Sequence, residues 1–86
     1  MRVSVVLEDG LLVLNRAVGV LRRRHLPVGD LAVKPSGMPG LSRLTFLLET
    51  DPATADRVAQ QFHKIVGVRE VVVARADDEP SEEGKP

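Results

Sequence analysis

Residues 28–49 read Val28-Gly29-Asp30-Leu31-Ala32-Val33-Lys34-Pro35-Ser36-Gly37-Met38-Pro39-Gly40-Leu41-Ser42-Arg43-Leu44-Thr45-Phe46-Leu47-Leu48-Glu49. Two alternating runs stand on either side of a cluster of turn formers. In residues 28–34, Leu31 and Val33 share the apolar side. In residues 41–49, Leu44, Phe46 and Leu48 point one way and Arg43, Thr45 and Leu47 the other. This period of two is that of half-buried strands. The link over residues 35–40, rich in proline and glycine, is too short for the crossover helix that a parallel return requires. The two strands therefore form an antiparallel hairpin, and the rest of the chain has to be arranged around it.

On its N-terminal side, residues 2–8 alternate again, with Val3, Val5 and Leu7 opposed to Ser4, Val6 and Glu8. Asp9-Gly10 breaks the strand, and Leu11, Leu14, Val18 and Leu21 then recur at spacings of three, four and three, marking one face of a helix that ends near His25. Arg22, Arg23 and Arg24 fall in its last turn, where each complements the helix dipole by about 0.3–1 kcal/mol at low salt. Pro27 cannot continue the helix. On the C-terminal side, Asp51 is placed to cap a second helix and Pro52 suits its first position. Ala55, Val58, Ala59, Phe62, Ile65 and Val66 form its expected buried stripe. Gly67 stops it, and residues 68–75 are a strand rich in β-branched side chains.

The order is β-α-β-β-α-β, an α+β, ferredoxin-like arrangement. Right-handed crossovers put both helices on one face of a four-stranded antiparallel sheet. Val6, Ala32, Leu47 and Val72 fall on the opposite face, more apolar than a solvated sheet face usually is, so part of that face or a sheet edge is expected to be covered by another chain.

Composition narrows the function classes. The 86 residues allow one small core, expected over residues 1–76. A body of this size buries only about 60% of the surface of its unfolded chain, and without cysteine it has no disulfide to compensate. The net charge of zero hides an asymmetry: Asp77, Asp78, Glu79, Glu82 and Glu83 crowd into residues 77–86, which read as a disordered acidic tail. The remaining body has eleven basic and seven acidic side chains, a modest excess of about +4. With Phe46 and Phe62 as its only aromatics, both on inward faces, the chain lacks the exposed rings on which nucleic-acid modules stack bases. No apolar run approaches the roughly 20 residues of a membrane span, and no leader pattern opens the chain, so a cytoplasmic protein is the expectation.

Nothing in the sequence assembles a catalytic or metal centre. His25 and His63 are the only histidines, far apart in the chain and flanked by cationic residues, whereas a metal site needs several ligands. Ser4, Ser36, Ser42 and Ser81 have no histidine near them in sequence. Glu8 and Asp9 are adjacent at a strand end, so their side chains diverge. No catalytic residue, metal or cofactor is expected.

Several stretches resemble the ACT domain of acetolactate synthase small subunits. They are Leu14-Asn15-Arg16-Ala17-Val18-Gly19-Val20-Leu21-Arg22-Arg23-Arg24, Asp30-Leu31-Ala32-Val33-Lys34-Pro35, Gly40-Leu41-Ser42-Arg43-Leu44-Thr45 and Gln61-Phe62-His63-Lys64-Ile65-Val66-Gly67-Val68. The resemblance implies a non-catalytic regulatory subunit of branched-chain amino-acid biosynthesis that activates the acetolactate synthase catalytic subunit. It also implies a homodimer joined sheet edge to sheet edge, here through Leu31, Ala32, Val33 and Lys34, and a branched-chain effector, valine, held by the loop Asp9, Gly10, Leu11 and Leu12. A helix N-terminus suits a carboxylate. Two positions depart from the family pattern. Asp9 replaces an asparagine and can only accept hydrogen bonds, and Leu12 replaces a glycine where a missing Cβ allows close approach. Both lead to the expectation of weakened valine feedback. Two other functions fit the fold: a stand-alone ACT amino-acid sensor, and a small acylphosphatase-like hydrolase, against which stand the mid-helix positions of Asn15 and Arg16.

Overall fold

In the computed structural model the described residues are 1–75; the expected acidic tail lies outside them. Six elements follow in the expected order: β1 (Arg2–Glu8), α1 (Leu11–Arg24), β2 (Val28–Pro35), β3 (Leu41–Leu48), α2 (Pro52–His63) and β4 (Val68–Ala74). The strands lie in the order β2-β3-β1-β4, each antiparallel to its neighbours. β1 is central: Val3 faces Phe46 and Val73, and Val5 faces Leu44 and Val71. Val3, Val5, Leu7, Leu44, Phe46 and Leu48 form the sheet's buried layer, on which Ala55, Val58 and Phe62 of α2 pack. The rings of Phe46 and Phe62 meet tilted, with centroids 6.0 Å apart, which adds a directional term of about 0.5–1.5 kcal/mol to their burial. Asp51 caps α2, its carboxylate accepting from the Thr54 amide at 3.3 Å.

The rotation of α1 differs from the expected one. Its buried side chains are Ala17, Val20 and Leu21, with Val13 packed beside them, whereas Leu11 is 80% exposed and Leu14 and Val18 are half-buried. The cause lies at Gly67. A Cβ built there would sit 2.8 Å from a methyl of Val13, so the turn before β4 presses on the Val13 side of the helix and turns the 13-17-20 stripe into the core. The 11-14-18 stripe is left facing β2.

Three smaller differences have local causes. α2 stops at His63, so Val66 stands in the following turn, 78% exposed, instead of extending the buried stripe. Leu31 and Val33 do point to the helix side, Val33 opposite buried Leu44, but β2 is an edge strand and they remain 50% and 49% exposed. Its register shifts between Gly29 and Ala32, where Asp30 takes φ 53°, a bulge of the kind that blunts an edge. On the open face Val6 is buried, not exposed. Arg43 lies opposite Val6 and donates from Nη1 to Ser4 Oγ at 2.9 Å on that face.

Gly37 and Gly67 both have positive φ, at 92° and 102°, but only Gly67 is crowded. Gly37→Ala should therefore cost only the backbone term, about 1–2 kcal/mol. Gly67→Ala should cost a further ~1–3 kcal/mol for overpacking against Val13, and Val13→Ala in the same chain should recover part of that excess. Urea unfolding of the four proteins measures this. Equal losses at the two glycines would refute the proposed role of Gly67 in orienting α1.

Candidate functional site

The end of β1 is tied on both sides. The Glu8 amide donates to the Gly67 carbonyl at 2.8 Å, and the Asp9 amide donates to the Gly40 carbonyl at 3.0 Å. These bonds hold the β1–α1 connection between the turns that precede β4 and β3. Gly10 then takes φ 125° and ψ 147°, a region open essentially to glycine alone, which turns the chain sharply into α1.

This helix start has no side-chain cap and no acidic residue in its first turn. The carboxylate that could have capped it is turned elsewhere: Asp9 Oδ1 accepts a hydrogen bond from Ser42 Oγ at the beginning of β3. The first amides of α1 thus keep their donor capacity and the positive end of the helix dipole. Beside them lies an open depression of about 340 Å³ lined by Leu7, Asp9, Gly10, Leu11, Leu14, Val33 and Ser42. Its volume is near the lower end of small-molecule sites. The arrangement offers an apolar floor, one carboxylate with its serine, and unpaired backbone donors, which suits a small ligand with both polar and branched apolar parts.

Of the four loop residues expected to hold an effector, Asp9, Gly10 and Leu11 line this depression. Leu12 does not: it is 63% exposed and lies off its wall, so it does not fill the space. Sequence reasoning missed the floor. Leu14 was assigned to the core stripe, Val33 to the strand edge, and Ser42 to no role. The signal for Ser42 was available in the hairpin itself, since an antiparallel return sets the start of β3 against the end of β1, and Ser42 pairs with Leu7.

The expected interface residues divide between two faces. Leu31 and Val33 lie on the helix side of β2 and line two depressions against α1, Val33 with Leu11 and Leu14, Leu31 with Val18 and Leu21. Ala32 and Lys34 pair with Thr45 and Arg43 and so lie on the open sheet face. Arg22, Arg23 and Arg24 close α1, but they are not equivalent, because Arg24 Nε donates to Gln61 Oε1 at 3.2 Å and ties the two helices together. Among the described residues no group of His, Cys, Asp and Glu could hold a metal ion, and no helix is long and apolar enough to cross a membrane. Asn15 and Arg16 are exposed in the middle of α1, away from the Gly10 turn.

Comparison with known proteins gives a consistent set of relatives. The chain is 32% identical over 80 residues to the acetolactate synthase small subunit of Mycobacterium leprae, covering 93% of this chain and 47% of the relative. It is 36% identical over 69 residues to the Haemophilus influenzae small subunit, covering 80% and 42%. Among solved structures, the acetolactate synthase small subunit of Thermotoga maritima superposes with a TM-score of 0.75 at 28% identity, over 83% of this chain and 44% of that one. The ACT domain of the Chlorobium tepidum GTP pyrophosphokinase superposes with a TM-score of 0.70 at 14% identity, covering 92% and 90%, a likeness of fold. No family model matches the sequence. The chain spans a little under half the length of these two curated relatives.

The Ser42 hydroxyl ties the Asp9 loop to β3, beside the bond from the Asp9 amide to the Gly40 carbonyl in the preceding turn. Ser42→Ala is expected to cost about 1 kcal/mol or less, since the pair is exposed. Hydrogen exchange at the Asp9 amide should quicken by roughly fivefold, the equivalent of that energy. Unchanged exchange at Asp9 would show that the serine does not hold the loop.

Proposed function

We propose, from the premise that this chain is an ACT domain of the type found in acetolactate synthase small subunits, that it is a non-catalytic regulatory subunit. It assembles with the acetolactate synthase catalytic subunit in the cytoplasm, activates it, and responds only weakly to valine. The observation that carries this reading is that the similarity to small subunits extends over almost the whole folded body, including both helices and the hairpin, instead of resting on one motif.

The weak valine response is supported by the chemistry of the depression. Its apolar floor of Leu7, Leu14 and Val33 suits a branched side chain, and the start of α1 suits a carboxylate. Asp9 opposes this. An ionised carboxylate on the same wall repels the ligand's own carboxylate, at a cost of about 1 kcal/mol for charges 4 Å apart in water and more where water is excluded. Ser42 engages one oxygen of Asp9 without removing its charge. The ligand's ammonium group could use the other oxygen, so the two effects partly offset.

A homodimer through β2 is supported by the half-exposed Leu31 and Val33 on an edge strand whose outer side has no neighbour among the described residues. Association there would add the apolar burial that so small a body lacks.

Mixing the full chain with the cognate catalytic subunit and following acetolactate formation tests the reading. Activity is expected to rise several-fold, with little loss on adding valine. Asp9→Asn should then strengthen valine binding by about tenfold, matching ~1.4 kcal/mol, as read by calorimetry. No change in activity with or without valine would overturn the regulatory reading. The dimer is tested separately by sedimentation, where Leu31→Glu with Val33→Glu should yield monomer while circular dichroism is unchanged. A variant that stays dimeric would place the interface elsewhere.

A further inference from the structure

A cationic groove lies on the flank of α1 that faces the end of α2. No acidic residue stands between Asp9 and Asp30, so α1 carries Arg16, Arg22, Arg23 and Arg24 with no acidic partner along the helix. Arg16 and Arg23 fall on one side, two turns apart. Between them Gly19 presents no side chain, and the Arg23 guanidinium lies over it, with Nη1 3.4 Å from where a Cβ would stand. Two adjoining depressions of about 420 and 350 Å³ share Arg23, Lys64 and Ile65; Arg16 and Val66 line the first, Val20 and Gln61 the second. Among the described residues no carboxylate lies within ion-pair distance of Arg16, Arg23 or Lys64.

The groove also has an apolar centre. α2 ends at His63, and Val66 stands 78% exposed in the turn that follows. That turn is held on both sides. The Ile65 amide donates to the Phe62 carbonyl at 3.0 Å, the Val68 amide to the Ile65 carbonyl at 3.1 Å, and the Glu8 amide to the Gly67 carbonyl at 2.8 Å. Val66 is thus presented to solvent on a fixed backbone, so that little further ordering is needed when it is covered. A small anion gains nothing from such a side chain, and a shallow groove gives it no enclosed site. A protein surface uses both features, an apolar contact at the centre and charge pairs at the rim. Arginine is also among the side chains that most often anchor such contacts.

We propose that this groove is where the catalytic subunit docks, through a surface on which carboxylates surround an apolar side chain. The proposal rests on the regulatory reading above and adds to it the face of the domain that makes the contact. Charge complementarity sets the sign of the partner surface: unpaired like charges in one groove repel one another, and facing carboxylates relieve that repulsion and speed the encounter. Position agrees with this use. The β2 edge lies beside the opposite flank of α1, so docking at the groove leaves the edge free to pair with a second copy. A dimer joined at that edge carries two grooves, one on each copy.

The test measures binding of the full chain to the catalytic subunit by interferometry, with circular dichroism as the check on folding. Arg23→Glu should weaken association by roughly tenfold and Val66→Ser by about fivefold. Arg16→Glu, Arg23→Glu and Lys64→Glu together should weaken it by about a hundredfold or more. Arg22→Glu makes the same charge change at the neighbouring position on another side of the helix, and it should stay within about twofold of the unaltered chain. Should the triple variant not fold, the unaltered chain still carries the test. Zero-length carbodiimide coupling should join Lys64 to a carboxylate of the catalytic subunit, whereas Lys34, on the open sheet face, should couple far less. Two outcomes overturn the groove and leave the regulatory reading intact: an unaltered chain that binds no better than the Arg23 and triple variants, or coupling through Lys34 in place of Lys64. Equal losses at Arg22 and Arg23 would also overturn it, because they would mark a general attraction with no defined face. An unaltered chain that does not bind the catalytic subunit at all would remove the regulatory reading itself.

Discussion

The contact between Val13 and Gly67 governs how the rest of this small domain is arranged. Both helices could lie on the sheet in several rotations, because an 86-residue chain with two phenylalanines has few large side chains to lock one. What chooses is the turn before β4. It passes so close to α1 that a Cβ at position 67 would enter the Val13 side chain. The same glycine accepts the Glu8 amide through its carbonyl. One residue therefore fixes the roll of α1, the entry into β4 and the end of β1 together.

From that roll the exposed features follow. With the 13-17-20 stripe inward, the 11-14-18 stripe faces β2 and, with Leu31 and Val33, leaves an apolar channel at the sheet edge. The opposite flank of α1, with Arg16 and Arg23, faces the end of α2. The helix thus separates an apolar, edge-facing side from a cationic one. Its start stays uncapped because Asp9, the only candidate, is held by Ser42 across the hairpin. A cap at this position would have stabilised the helix. Its absence leaves backbone donors open beside an apolar floor.

Much of this was legible in the sequence, and the largest part of what was not has a common cause. Alternation and turn chemistry are local, so the six elements, the hairpin through residues 35–40 and the Asp51-Pro52 helix start could be read directly. The roll of α1 could not. Leu11, Leu12, Val13, Leu14, Ala17, Val18, Val20 and Leu21 cover more than half of its circumference, and a period of 3.6 residues does not say which part faces inward. The choice depends on Gly67, far along the chain. The Asp9–Ser42 pair likewise spans 33 positions, and buried Val6 lies opposite Arg43 of another strand. These misses are contacts between residues distant in sequence, where single-chain periodicity carries no information, whereas the end of α2 at His63 is a local one. The loop that resemblance singled out borders a depression whose other lining residues belong to β1, α1, β2 and β3, and no local pattern in the sequence brings those together.

Val33 connects the parts of the proposed function physically. It is at once a wall of the depression beside Asp9 and part of β2, an edge strand among the described residues. A second copy joined at that edge would cover Val33 and reduce the opening of the depression, so dimerisation and ligand binding could not be independent. If a ligand binds more tightly when the edge is covered, linkage requires that it strengthen the dimer by the same factor. The size of that factor depends on how much of the ligand's apolar surface the second copy completes, at about 25 cal/mol per Å² removed from water. A weakly bound effector can therefore act only in proportion to this difference, whatever its total affinity. By opposing a ligand's carboxylate equally in monomer and dimer, Asp9 would lower occupancy without altering that coupling. Weak sensing and firm assembly would thus be compatible in one domain, because Asp9 would set the occupancy while the shared Val33 edge would set the coupling.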